Sequence, residues 1–268
     1  MKRISIYIAI TLLLLAIALP APAATEAATP EEKGLNIAQE ADRRNSGFVN
    51  YRVDLEMILK SRDGKKSMRE LNIKTVEINN DGDKSLIVFD TPRDIKGTSF
   101  LSFAHKTGND EQWLYLPALK RVKRIAANNK SSPFMGSEFS YEDMAGQEVE
   151  KFTYKWLRDE ILNEKNSHVI EQYPLDKENS GYSRQVVWMD KDGYRAIKIE
   201  YYDKRGELLK TLMLSGHRLY NGKFWKPLTL NMVNRQTGKS TVLEFKDYRF
   251  GVGLDEQDFT TNSLLRVR

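Results

Sequence analysis

The sequence predicts a mainly β chain: one antiparallel sheet that curls on itself, with a single helix laid over one face. Three observations predict it. Roughly ten or more short segments alternate apolar and polar residues with period two, nearly all of them are bounded by Gly, Asn, Asp or Pro turn signals, and one segment alone has helical periodicity and a helix start signal. No Pro-, Gly- or Ser-rich linker and no internal repeat divides the 268 residues, so residues 24–268 read as a single domain.

The N-terminus reads as a secretory signal peptide. Lys2 and Arg3 form a basic start, residues 4–19 an apolar run, and Ala21-Pro22-Ala23 a small-residue cleavage site, the three parts of such a leader. The run is shorter than the ~20 residues a spanning helix needs, and no other segment approaches that length. An exported, periplasmic, water-soluble domain of residues 24–268 is the expectation. The chain has no cysteine, which excludes disulfides, thiolate metal sites and a lipidated N-terminal Cys. Loss of Lys2 and Arg3 takes the formal charge from +5 to +3, too mild a balance to point to nucleic acid.

The elements follow in order. Thr29-Pro30-Glu31-Glu32 supplies an N-cap, a proline at the first helical position and a Glu three residues on, which starts a helix over about residues 30–44. Period two then takes over: Tyr51, Val53, Leu55, Met57 and Leu59 point one way, with Arg52, Asp54 and Glu56 opposite. After the Arg62-Asp63-Gly64-Lys65 turn, Leu71 and Ile73 keep that parity while Val76 and Ile78 reverse it, which predicts a bulge near Thr75. Further strands are expected over residues 86–89, 98–104, 112–116, 121–125, 152–157, 168–173, 184–189, 196–202, 208–214, 228–233 and 241–248. Asp190-Lys191-Asp192-Gly193, Asp203-Lys204-Arg205-Gly206 and Tyr220-Asn221-Gly222-Lys223 are hairpin turns; the first opens like a calcium loop but lacks the later ligands and the closing Glu.

Catalytic signatures are missing. His105, His168 and His217 are far apart with no local ligand spacing, and the chain contains no Gly-x-Ser-x-Gly elbow, phosphate-cradling loop or dinucleotide fingerprint. The best carboxylates, Glu142 and Asp143, are adjacent and point to opposite faces if extended, a poor acid/base pair. No metal, no cofactor and no enzymatic activity is the expectation. Lys120-Arg121-Val122-Lys123-Arg124 is the densest basic cluster; it reads either as a solvated strand face or as a dock for an anionic headgroup or an acidic partner, with Trp113 and Tyr115 nearby as boundary aromatics. One thin helix and the loop bearing Phe134, Met135, Phe139 and Tyr141 is little cover for so large a sheet, and under-covered concave sheets make cavities.

Several segments resemble the periplasmic outer membrane lipoprotein-sorting proteins, relatives of the LolA and LolB carriers. They are Asp94-Ile95-Lys96-Gly97-Thr98-Ser99-Phe100-Leu101, Trp113-Leu114-Tyr115-Leu116-Pro117, Lys120-Arg121-Val122-Lys123-Arg124-Ile125 and Phe134-Met135-Gly136-Ser137-Glu138-Phe139-Ser140-Tyr141-Glu142-Asp143, with Trp188, Lys210-Thr211-Leu212 and Phe259. The resemblance implies a strongly curved, incompletely closed antiparallel β-barrel with a few helices as a lid, enclosing an apolar cavity for acyl chains, and transport without catalysis. The anchored branch of that family carries a lipidated Cys that this chain lacks. The expected inner wall is Tyr51, Val53, Leu55, Met57, Leu71, Ile73, Phe100, Trp113, Tyr115, Trp188 and Met232, the expected lid the helix and residues 126–144, and the expected headgroup or partner contact Lys120, Arg121, Lys123 and Arg124. A monomeric carrier of lipoprotein or lipid acyl chains toward an outer-membrane acceptor is the leading expectation. The alternative is a non-catalytic envelope sensor module, accessory to an inner-membrane exporter of the resistance-nodulation-division (RND) type.

Overall fold

The computed structural model describes residues 28–265, so the predicted leader lies outside the described residues. Helix α1 (Pro30–Asn45) starts as its capping box requires: the Glu32 amide donates to Thr29 Oγ1 at 3.2 Å and the Thr29 amide to Glu32 Oε2 at 2.8 Å. Each bond satisfies a donor that the helix start would otherwise orphan. Six strands follow: β1 (Asn50–Lys60), β2 (Lys66–Val76), β3 (Lys84–Thr91), β4 (Ser99–Phe103), β5 (Glu111–Leu116) and β6 (Arg121–Ile125). Residues 126–151 hold short 3₁₀ turns and lead to β7 (Phe152–Leu162), β8 (Lys165–Pro174), β9 (Arg184–Asp190), β10 (Ala196–Tyr202) and β11 (Leu208–Ser215). A small hairpin, β12 (Arg218–Tyr220) with β13 (Phe224–Lys226), pairs only with itself, and β14 (Thr229–Asn234), β15 (Ser240–Phe245) and β16 (Arg249–Phe250) complete the strands. No helix among the described residues is long and apolar enough to cross a membrane.

The main sheet is antiparallel throughout, in the order β6-β5-β4-β3-β2-β1-β15-β14-β11-β10-β9-β8-β7, with β16 added to β1. β6 and β7 do not pair, so the barrel stays open. Its curl is forced by contacts near its two ends. Flat strands at ~4.8 Å spacing would hold β5 and β7 on the order of 50 Å apart. Lys151, beside β7, nevertheless pairs with Asp110, beside β5, and Lys106 reaches Glu150 at 3.8 Å.

The inner face carries the largest apolar cluster, which takes in Leu55 and Met57 of β1, Leu71 of β2, Phe100 of β4, Ile170 of β8, Val187 of β9 and Met232 of β14. The β6–β7 connection packs into it. Phe134 is fully buried, with ring centroids 5.9 Å from Phe89, 5.2 Å from Phe100 and 5.5 Å from Tyr141. Polar bonds stake the same segment to strands all round the barrel. Arg69 of β2 donates to the Met135 carbonyl at 2.6 Å, Gln112 of β5 to the Tyr141 carbonyl at 2.9 Å, and Asn234 of β14 to Glu138 at 2.8 Å. Beneath them Lys210 of β11, 4% exposed, meets Asp143 Oδ2 at 2.5 Å, and Tyr182 donates to the other Asp143 oxygen at 2.8 Å. Within the lid segment expected from the sequence, residues 134–144 thus fill the barrel interior as a plug, their polar groups bonded to the strands, while most of residues 126–133 stay exposed.

The bulge expected near Thr75 is also absent. β1 and β2 pair without a break from Asn50↔Val76 to Lys60↔Lys66, and the irregularity lies instead between β2 and β3 at Glu70/Leu71. Val76 reverses parity because both faces are covered there: it packs outside with Leu101 against Phe259 and Leu264 of the C-terminal segment.

α1 rests mainly on terminal strand β7. A Cβ on Gly34 would stand 2.7 Å from the Trp156 amide nitrogen and 2.8 Å from Lys155 backbone atoms, so glycine is what lets the helix touch the strand. At the junction of α1 and β1, Glu77 accepts from the Gly47 amide at 2.6 Å and the Val49 amide at 3.1 Å. Burial, reinforced by the Glu148 and Glu77 carboxylates, pushes nearby Asp83 up to about 7.

Gly34→Val is expected to lower the melting temperature and to raise amide exchange across α1, while leaving exchange in β1 to β5 unchanged. Lys210→Met strands the Asp143 carboxylate in the interior and is expected to cost about 3–5 kcal/mol of unfolding free energy in urea titrations. The Asp83 carboxyl binds its proton more tightly folded than unfolded, where its value is about 3.9; its contribution is thus fully present below about pH 4 and lost as pH rises through 7. Asp83→Asn should therefore raise the melting temperature more at pH 8 than at pH 4, and equal shifts at both would refute that linkage.

Candidate functional site

Beside the plug, beneath α1, lies a cavity of about 670 Å³, within the roughly 300–1,000 Å³ of ordinary ligand sites. Its roof is formed by α1, where the small side chains of Ala38 and Ala41 leave the space below them unfilled. Its wall is made by inward residues of successive strands: Phe152 and Tyr154 of β7, Ile170 of β8, Met189 of β9, Ala196 of β10 and Leu214 of β11. Alternation along each strand brings them to one face. The remaining side is the β12–β13 hairpin, with Lys223 in its turn and Trp225 and Lys226 on β13.

The cavity is apolar along the strands and cationic where the end of α1 meets the hairpin. Arg43 and Arg44 line it but share Glu40, at 2.7 and 2.6 Å. Arg195 lies 4.2 Å from the Trp225 ring and binds Asp190 through two bonds of 2.6 and 3.1 Å; burial opposes ionisation of Asp190, yet the guanidinium holds it below the usual carboxylate range. Burial pushes His217 below its ordinary value, aided by Arg195. Burial also pushes the Lys226 ammonium down to about 8, against the pull of Asp83 and Glu77.

None of the wall residues expected from the sequence lines this cavity. Leu55, Met57, Leu71, Phe100, Phe134, Phe139 and Met232 sit in the packed inner cluster, with Ile73, Met135 and Tyr141 against it. Tyr51 and Val53 belong to an aromatic cluster at one end, with Tyr220 and Tyr248. Trp113, Tyr115 and Trp188 are corrected: they face the other side of the sheet. The first two pack under the C-terminal segment, while Trp188 packs with Val169, Val186 and Ile197 and donates to Glu160 at 3.0 Å. Each strand there is apolar on both sides, and the inward residues are the neighbours Leu114, Val187 and Met189. Lys120, Arg121 and Lys123 are exposed, with Arg124 on Glu111 at 2.7 Å, along edge strand β6 and away from the cavity. Sequence reasoning missed Trp225, Lys223 and Lys226 because their hairpin leaves the sheet; its Asn221-Gly222 turn was the available signal.

Nothing here is arranged as a catalytic pair. Glu142 accepts from Ser180 Oγ at 2.5 Å and the Gly181 amide at 2.8 Å, and Asp143 is held by Lys210, so both carboxylates serve the plug. Among the described residues no group of His, Asp or Glu is set to hold a metal ion.

A family profile described as an uncharacterized protein matches residues 81–266. No curated protein matches in sequence. A solved domain from Vibrio parahaemolyticus, assigned as an outer membrane lipoprotein-sorting protein, is 52% identical over 88% of this chain and 100% of its own, with a TM-score of 0.86. A DUF1329 family protein from Desulfovibrio piger is 28% identical over the same shares, with a TM-score of 0.84. A LolA superfamily protein from Nitrosomonas europaea, 19% identical over 88% of this chain and 100% of its own, shares the fold with a TM-score of 0.69. The open, curled sheet under one helix and the identity across the whole Vibrio domain make this chain a member of the outer membrane lipoprotein-sorting protein family to which that domain is assigned.

Proposed function

We propose that this protein is a non-catalytic periplasmic carrier that takes acyl chains of a lipid or lipoprotein into the cavity beneath α1 and passes them toward the outer membrane. One observation carries the reading: a hollow of about 670 Å³, apolar along most of its strand wall and polar where α1 meets the hairpin, lies beneath α1. Each methylene withdrawn from water is worth ~0.8 kcal/mol, so a chain leaves a membrane only for an apolar receiver, and the hollow offers one. Release requires that opening be cheap. Of α1, Gly34, Ile37 and Ala38 are its buried residues. Its other ties include surface contacts, such as Lys155–Glu31 at 3.1 Å, Lys33 at 3.4 Å from the Trp156 ring centroid, and Arg44 on the Asp192 carbonyl at 2.9 Å, and one bond from a buried side chain, Lys226 to Asn45 Oδ1 at 2.8 Å. An exposed ion pair contributes about 0–1 kcal/mol, so α1 is the lid. The sorting function given to the Vibrio relative supports the same reading.

A second contact follows from β6. It is a terminal strand with exposed Arg121 and Lys123, suited to an acidic acceptor or exporter surface during transfer. Exchange of Arg121 and Lys123 for Glu should slow delivery to acceptor membranes while leaving uptake unchanged.

Protein purified from a periplasm without detergent should carry lipid or acylated peptide at stoichiometric level, seen by native mass spectrometry and solvent extraction. A reproducibly empty protein that takes up no fluorescent fatty acid would overturn the carrier. Ala41→Trp, which fills the roof of the cavity, is expected to weaken fatty-acid uptake roughly tenfold or more, equivalent to about 1.4 kcal/mol. Trp113→Ala, on the opposite face, should leave uptake unchanged.

A further inference from the structure

We propose that Lys226 and Lys223 form a seat for an anionic headgroup at the hairpin end of the cavity, so that the cargo is an acidic amphiphile bearing a phosphate or carboxylate. The inference rests on the carrier reading and narrows it to one cargo class.

Lys226 is the unusual residue of the lining. It is 9% exposed, and among the described residues no carboxylate lies within ion-pair distance of its ammonium. Its bond goes to a neutral acceptor, Asn45 Oδ1 at 2.8 Å, with the rings of Phe48 and Tyr51 at 5.1 and 5.3 Å. An ammonium has three donors, so this one keeps capacity; Asp83 and Glu77 act on it only from beyond ion-pair distance, and a buried charge with no carboxylate in contact is costly. Lys223, one turn away on the same hairpin, also reaches a neutral oxygen, the Ser46 carbonyl at 2.7 Å. Both ammoniums thus sit at the C-terminal end of α1, where the helix dipole favours cations. That dipole carries only about half a charge, which leaves the buried Lys226 under-compensated, while Lys223 stands exposed beside it at the mouth.

The other cations of the lining are already paired: Arg195 by Asp190, and Arg43 and Arg44 by Glu40. Asp42, the carboxylate of the lining, is pushed above its ordinary range by burial, which weakens it as a competitor. The apolar wall and the two lysines therefore divide the cavity as an amphiphile is divided, chain against β8 to β11 and charge against the hairpin. A charge-assisted hydrogen bond in such a site is about twice as strong as a neutral one.

The test is direct titration of delipidated full-length mature protein with hexadecanoate, hexadecanol, hexadecyl phosphate and inorganic phosphate. Wild type should bind the two acidic amphiphiles roughly tenfold or more tighter than hexadecanol, and inorganic phosphate far more weakly than hexadecyl phosphate. Lys226→Met should erase the preference while hexadecanol binding persists, which also reports that the variant is folded; Lys223→Gln should reduce it in part. Equal wild-type affinity for hexadecanoate and hexadecanol, or inorganic phosphate bound as tightly as hexadecyl phosphate, would overturn the headgroup seat while leaving a carrier in place. Failure of every long-chain ligand to bind would instead sink the carrier reading itself, and the seat with it.

Discussion

The chain leaves its sheet at one edge and re-enters it at the other: β6 and β7 are neighbours in sequence and opposite ends of the strand order. Every other feature follows from that crossing. The connection between them has to pass across the concave side, and once there its backbone and side-chain polar groups are cut off from water, where unpaired groups cost about 1–3 kcal/mol each. The spokes from Arg69, Gln112, Lys210 and Asn234 meet that demand. In doing so they tie β2, β5, β11 and β14 to one small body and set the curl of the sheet. Phe134 at its centre supplies the apolar contact that a barrel interior needs.

The plug fills part of the interior, and the cavity of about 670 Å³ lies beside it under α1. The division separates two jobs. Stability resides with the plug, the inner cluster and the C-terminal segment over β2 to β5; access resides with α1 and the hairpin. Ile37 and Ala38 of α1 join the inner cluster, so lifting the helix would cost the core those contacts while leaving the plug's own bonds in place. The balance of burial says the same: Phe134, Met57 and Met232 are wholly enclosed, whereas Trp225 at the mouth is 37% exposed.

Much of this was legible in the sequence. The capping box at Thr29, the period-two runs and the Asn/Asp-Gly turns carry local information, and local information survives reading one residue at a time. Leu55 and Met57 could be assigned inward because Asp54 and Glu56 beside them face out. Trp188 could not, because Val187 and Met189 are as apolar as Val186 and Trp188; with both faces buried, alternation loses its sign. Residues 126–144 carried the apolar side chains of a cover, but whether they close a mouth or fill an interior depends on partners such as Lys210 and Asn234, distant in sequence. Lys226 looked like one surface lysine among many until the fold folded it under Asn45.

The glycine contact between α1 and β7 has a further meaning. β7 ends the sheet and has no strand beyond it, and α1 lies against its backbone at Gly34. On the carrier reading, lifting of the helix would uncover main chain of that terminal strand, the kind of edge that recruits another strand. An open form would thus be adhesive as well as empty. A protein built this way is safest if it opens only while another surface is present to shield that edge, which makes encounter, and not thermal opening in free solution, the natural trigger of exchange.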